Sequence, residues 1–148
     1  MQEKVTVVGA GLAGCEAAHF LSRCGIPVRL VECKPKSFTP AHSDANFAEL
    51  VCSNSLKSDD VYGNACGLLK EEMRTLGSLI IGVADQNRVP AGGALAVDRT
   101  AFSSAVTGAI RSDADIEIVC EEAERIPEGY AIVATGPLTQ GALAEDIR

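Results

Sequence analysis

No apolar run in this chain approaches the roughly 20 residues that cross a bilayer, and a β-branched stretch begins as early as Val5. That leaves no space for a secretory leader ahead of the first strand, so a cytoplasmic location without membrane attachment is expected. The six cysteines (Cys15, Cys24, Cys33, Cys52, Cys66 and Cys120) include no C-x-x-C pair. The two histidines, His19 and His42, sit in unrelated contexts. A zinc site is therefore not expected, and a disulfide framework is improbable without secretion; most of these cysteines should be small buried hydrophobes. Basic excess is lacking too: the net charge is −7. Most of it lies in residues 113–128, where seven acids face Arg125 alone. The remaining surface is close to neutral, so charge neither supports nor excludes an RNA partner. Internal repeats and low-complexity tracts are absent as well. A hydrophobic content of 47% over 148 residues excludes general disorder and suits a single globular domain.

What is present is organised around Val5 to Glu32. Val5–Val8 is a β-branched run of the kind that forms a buried parallel strand. It runs into Gly9-Ala10-Gly11-Leu12-Ala13-Gly14, a G-x-G-x-x-G turn. Ala13, Ala17, Phe20, Leu21 and Cys24 then recur at helical spacing, with Glu16, His19 and Arg23 on the opposite face. Gly25 and Pro27 end that helix, and Val28–Glu32 forms the next strand. In this order the glycines carry a mechanism. Gly9 permits the tight turn, Gly11 admits a pyrophosphate to the backbone, and Gly14 lets helix and strand pack closely. Unpaired N–H groups at the helix start favour the anion. Glu32, ending the second strand, is placed to accept from ribose hydroxyls. A dinucleotide site is expected.

Residues 33–63 break the periodicity and form a long connection, in which 46–51 are expected to make a helical turn or two before Cys52. Asn64 is expected to cap a helix through Gly77, Ser78 one over 79–87, and Asp98 one over 99–110. Pro90–Ala94 reads as a turn. Strands are expected at 116–119 and 123–126. Another, buried, covers 130–136, where small residues at Ala134-Thr135-Gly136 allow a cofactor close to the backbone.

Six blocks carry a wider resemblance: GAGLAG at 9–14, TPAH at 39–42, FAELVCSNS at 47–55, GLLKEEMRTLGSLI at 67–80, RVPAGGALAVDR at 88–99 and ATGPLT at 134–139. Together they resemble the folate- and FAD-dependent tRNA (uracil-5-)-methyltransferases, the TrmFO family related to GidA. The relative that modifies the tRNA wobble uridine shares the nucleotide site but has a different cysteine-bearing loop. The resemblance implies an α/β, Rossmann-like FAD-binding fold of the glutathione-reductase type, a parallel sheet flanked by helices. It implies that 1–148 is the amino-terminal portion of the FAD-binding domain, incomplete, with the family's RNA-binding insertion and closing carboxy-terminal segment absent. FAD would be held by Gly9, Ala10, Gly11, Leu12, Ala13, Gly14, Glu32, Thr135 and Gly136, with backbone near Ala123 at the adenine. Methylenetetrahydrofolate and NAD(P)H would be co-substrates and a T-loop uridine of tRNA the acceptor, with a ribosomal uridine as a variant.

The resemblance makes Cys52 the catalytic cysteine, either attacking uracil C6 or shielding the flavin-bound methylene. The residues alone leave a reactive and a buried loop cysteine evenly balanced. Glu49 and Lys57 are acid/base or RNA-contact candidates, though solvated loop charges are commoner. Arg99 could reach flavin or phosphate, or pair with an acid at its helix start. His42 reads as a loop hydrogen-bonder. Two readings follow: the cofactor-bearing part of a methyltransferase, completed by the missing half or by self-association, or a non-catalytic nucleotide-binding or interaction module derived from that family.

Overall fold

The computed structural model describes residues 3–148. Strand β1 (Val5–Val8) is central to a four-stranded parallel sheet, with β2 (Val28–Glu32) on one side and β7 (Ala131–Val133) on the other. Beyond β2 lies β6 (Ile116–Cys120), giving the order β6-β2-β1-β7. A second, antiparallel sheet joins β3 (Ser55–Ser58), β5 (Ala94–Val97) and β4 (Arg88–Val89) in the order β3-β5-β4. Helices α1 (Leu12–Arg23), α2 (Ala65–Thr75), α3 (Leu79–Gln86), α4 (Arg99–Ser112) and α5 (Gly141–Ile147) complete the described residues.

One core unites both sheets. Val7, Val28 and Leu30 of the parallel sheet pack in the same cluster as Leu95 and Val97 of β5 and Phe102, Val106 and Ile110 of α4. Three helix starts follow the sequence pattern. The side chains of Asn64, Ser78 and Asp98 accept from the N–H groups of Cys66, Ile81 and Ala101.

Several expectations fail, each for a tertiary reason. Residues 46–51 form no helix: Ala48 takes a positive φ of 51° and donates its N–H to the Ala10 carbonyl. Phe47 plunges into the core, its N–H donating to Thr107 Oγ1. Residues 123–126 form no strand. Strand β7 is the sheet edge rather than a buried strand, with Ile132 and Val133 exposed. Glu16, on the face opposite the apolar stripe as expected, is partly buried there, its carboxylate accepting from the N–H groups of Leu79 and Ile80 and from Ser78 Oγ and so capping α3 from α1. Only Cys15 of the six cysteines is fully buried, and Cys24 and Cys52 are exposed.

Candidate functional site

In an open parallel sheet, ligands bind beyond the carboxyl ends of the strands, where neighbouring connections run to opposite sides. Here that point is the end of β1. A cleft of about 240 Å³ opens there. It is lined by Gly9, Ala10 and Gly11 after β1, by Glu32 and Lys34 at the end of β2, and by Ala123 after β6. Ala134 and Thr135 after β7 close another side. Leu12 and Ala13 also line an apolar groove on the other side, between α1 and the α2–α3 corner. Gly136 is exposed, next to the cleft wall.

The three glycines of the turn do three different things. Gly9 has φ +96°, and a Cβ there would stand 2.8 Å from the Ala134 carbonyl oxygen. Gly14 faces the turn so closely that a Cβ would lie 1.8 Å from the Gly9 oxygen. Gly11 is the reverse case, since a Cβ there would meet nothing within 4 Å. The space beside Gly11 is thus open to a ligand rather than filled by protein. No side chain caps α1 at Gly11, and among the described residues none accepts from the N–H groups of Leu12 and Ala13. These free donors and the helix dipole suit an anion.

Glu32 is buried and fixed. One carboxylate oxygen accepts from Ala10 N at 2.7 Å. The other accepts from Lys34 N at 3.0 Å and from the Cys33 thiol at 3.4 Å. A carboxylate offers about four acceptor positions, so capacity for a hydroxyl remains. Its charge also marks its neighbours. Burial foremost, then the Glu32 charge, pushes the Cys15 thiol up to about 12 and the Cys33 thiol up to about 11.

The other candidates resolve geometrically. Glu49 is not a solvated charge: it accepts from Ser43 N, Ser43 Oγ and Asp44 N and pairs with Lys34 at 3.6 Å. Burial raises its pKa, but these hydrogen bonds and the lysine together hold it below the usual carboxylate value. Arg99 pairs with no acid among the described residues; its guanidinium donates to the Leu50 carbonyl at 3.2 Å. His42 lines the cleft and shares a hydrogen bond with Thr39 Oγ1 at 2.5 Å. Lys57 is exposed, at a positive φ of 68°.

Cys52 is exposed and lies outside the cleft lining. Its short arch is tied at both ends: Leu50 O to Arg99 on one side, and on the other Asn54 O accepting from Val97 N. Among the described residues no cluster of three His, Cys, Asp or Glu side chains could hold a metal ion, and no helix is long and apolar enough to cross a membrane. Lys34 is a member of the cleft with no signal in the sequence: it is charged yet only 6% exposed, and no periodicity marks such a residue in a proline-bearing loop.

Residues 4–145 match the family described as glucose inhibited division protein A. The chain is 55% identical over 147 residues to the methylenetetrahydrofolate–tRNA-(uracil-5-)-methyltransferase TrmFO of Ligilactobacillus salivarius, covering 99% of this chain and 34% of that protein. It is 57% identical over 148 residues to the TrmFO of Enterococcus faecalis, covering 100% of this chain and again 34% of that protein. The chain therefore spans about a third of the length of the curated relatives it matches. Among solved structures, GidA of Aquifex aeolicus superposes with a TM-score of 0.66 at 18% identity, covering 85% of this chain and 20% of that one. A mutant of MHPCO gives 0.51 at 16% identity, covering 86% of this chain and 34% of that one. These two likenesses speak to the fold, a Rossmann-like α/β fold of the FAD-binding type.

Proposed function

The chain belongs to the glucose inhibited division protein A family, and on that premise we propose that residues 1–148 form the amino-terminal portion of the FAD-binding domain of a folate-dependent tRNA (uracil-5-)-methyltransferase. The observation that carries this reading is the 55–57% identity, along essentially the whole chain, to proteins bearing that name. The residues at the cleft fit the cofactor. Open space beside Gly11 and the unpaired N–H groups at the start of α1 suit a pyrophosphate. The one spare acceptor position of Glu32 suits a ribose hydroxyl. Backbone at Ala123, which lines the cleft, would contact the adenine, and Thr135-Gly136 would complete the cradle. The enclosed volume, about 240 Å³, falls below the roughly 300–1,000 Å³ of pockets that engulf whole ligands. So the cleft encloses part of a dinucleotide and leaves the remainder outside.

When bound, FAD would supply a flavin able to receive a one-carbon unit from methylenetetrahydrofolate, with NAD(P)H as the electron source. The protein's own chemical contribution is Cys52. Uracil C5 becomes nucleophilic once a nucleophile adds at C6, and a thiolate adds well and leaves again afterwards. An exposed cysteine on an arch pinned at Leu50 and Asn54 is reachable by a uridine flipped from an RNA loop. The same place would let it shield a reactive methylene.

The competing reading is a nucleotide-binding module without catalysis, favoured by the small enclosed volume. Supplying FAD, NAD(P)H, labelled methylenetetrahydrofolate and a tRNA transcript separates the two. Label arriving at the T-loop uridine C5, and lost in Cys52→Ala, supports the methyltransferase; FAD bound without any label transfer supports the module.

A further inference from the structure

A buried lysine at the rim of a nucleotide cleft invites assignment to a phosphate. Its charge and most of its donors are already engaged by the protein. An ammonium has three N–H groups. Lys34 Nζ donates two of them, to the Asp44 carbonyl at 3.0 Å and to the Asn46 carbonyl, and forms an ion pair with Glu49 Oε2 at 3.6 Å, beyond hydrogen-bond distance. All three partners belong to one loop. Glu49 in turn gathers Ser43 N, Ser43 Oγ and Asp44 N, while Asp44 accepts from Asn46 N and Nδ2. The 43–49 loop is thus wrapped around one lysine–glutamate pair, both members largely buried.

The same lysine is anchored to the cleft through its backbone. Its N–H donates to Glu32 Oε1, and Glu32 Oε2 accepts from Ala10 N within the glycine turn. The loop returns to that turn directly, Ala48 N donating to the Ala10 carbonyl at 2.8 Å. Ala10, Glu32, Lys34, the loop and Ala48 therefore close a ring of hydrogen bonds around one side of the cleft. Immediately after Ala48 come Glu49, then Leu50 held by Arg99, then Cys52. We propose that Lys34 is a positioning residue: its ammonium binds no phosphate but fixes the 43–49 loop against the glycine turn, and so sets where the Cys52 arch stands relative to the nucleotide. The link to Cys52 rests on the reading of the cleft and its cysteine given above; the fixing of the loop stands independently of it.

The test is amide hydrogen exchange on the chain, with and without FAD, for Lys34→Met, Lys34→Arg and Glu49→Gln. Breaking a buried pair frees the segment it holds. Lys34→Met should therefore raise exchange at Ser43, Asp44 and Ala48 by about tenfold or more without nucleotide, while β1 and α4 keep wild-type protection. Lys34→Arg, which retains charge and donors, should restore most of that protection. Glu49→Gln should loosen Ser43 and Asp44 even if Lys34→Met fails to fold. In the wild type FAD should protect both the glycine turn and the 43–49 amides, and in Lys34→Met only the turn. Unchanged exchange at 43–49 in both Lys34→Met and Glu49→Gln would overturn the proposal, and lost FAD affinity in Lys34→Met with the loop still protected would overturn it and make Lys34 a phosphate ligand. If the wild type ignores FAD, the cofactor reading fails, and the nucleotide-free exchange still decides whether Lys34 holds the loop.

Discussion

Gly14→Ala tests the close packing of helix and turn with a single methyl group. The added Cβ would stand 1.8 Å from the Gly9 carbonyl oxygen and 2.9 Å from its carbon. Ordinary contact needs well over 3 Å, so α1 must move away from the turn by more than an ångström. The obstacle is backbone, with no flexible side chain end to swing aside. Overpacking of this kind costs about 1–3 kcal/mol, and the rigid partner places this case at the upper end. Alanine in a helix interior returns up to about 1 kcal/mol of propensity relative to glycine. A net loss of about 2 kcal/mol remains, which in a domain of this size lowers Tm by roughly 4–8 °C. Thermal unfolding by circular dichroism, without nucleotide, reads it directly. Gly11→Ala is the internal control. Its Cβ meets nothing within 4 Å, so Tm should shift by no more than about 1–2 °C. An unchanged or raised Tm for Gly14→Ala would refute the packing argument.

Gly11→Val should leave the fold intact and abolish FAD binding, because the side chain would fill the space beside the helix start; titration of flavin fluorescence checks it. Cys52→Ala should keep wild-type FAD affinity and lose only methyl transfer, and loss of flavin from that variant would make Cys52 structural. Thiol chemistry should divide the cysteines. With pKa values of about 12 and about 11, Cys15 and Cys33 hold their protons where an ordinary thiol at 9.0 ionises. Peptide-resolved alkylation at pH 8 should therefore mark exposed Cys24 and Cys52 while sparing those two. The sign for stability follows. Above pH 9 the unfolded chain releases protons that the folded chain retains, so stability falls as pH rises from about 9 towards 12. A midpoint of denaturation flat across that window would contradict the burial of these thiols.

The first βαβ unit was legible because every local signal agreed. A β-branched run, a glycine turn and 3.6-residue periodicity all pointed to one structure, and side-chain caps at Asn64, Ser78 and Asp98 marked three more helices. The second sheet was not legible. Strand β3 is Ser-Leu-Lys-Ser, polar, with Lys57 at positive φ, and it exists only because β5 lies beside it. Residues 46–51 contain no helix breaker, yet Phe47 finds the core and Ala48 the glycine turn, and these distant contacts override local preference. Periodicity placed Glu16 opposite the apolar stripe of α1, but a helical wheel cannot reveal the start of another helix docked against it. At the site, Gly9, Gly11 and Glu32 were readable from spacing, since turn geometry depends on backbone and short range. Lys34 was not, because its three partners come from a loop whose path is set by tertiary contacts.

Titrating the purified chain with FAD while following flavin absorbance and fluorescence, alongside Gly11→Val, decides whether the cleft at the end of β1 is an FAD site. Saturable spectral change is expected in the wild type and none in the variant. A wild-type chain that leaves the flavin spectrum unaltered, or a variant that binds equally well, would contradict that assignment.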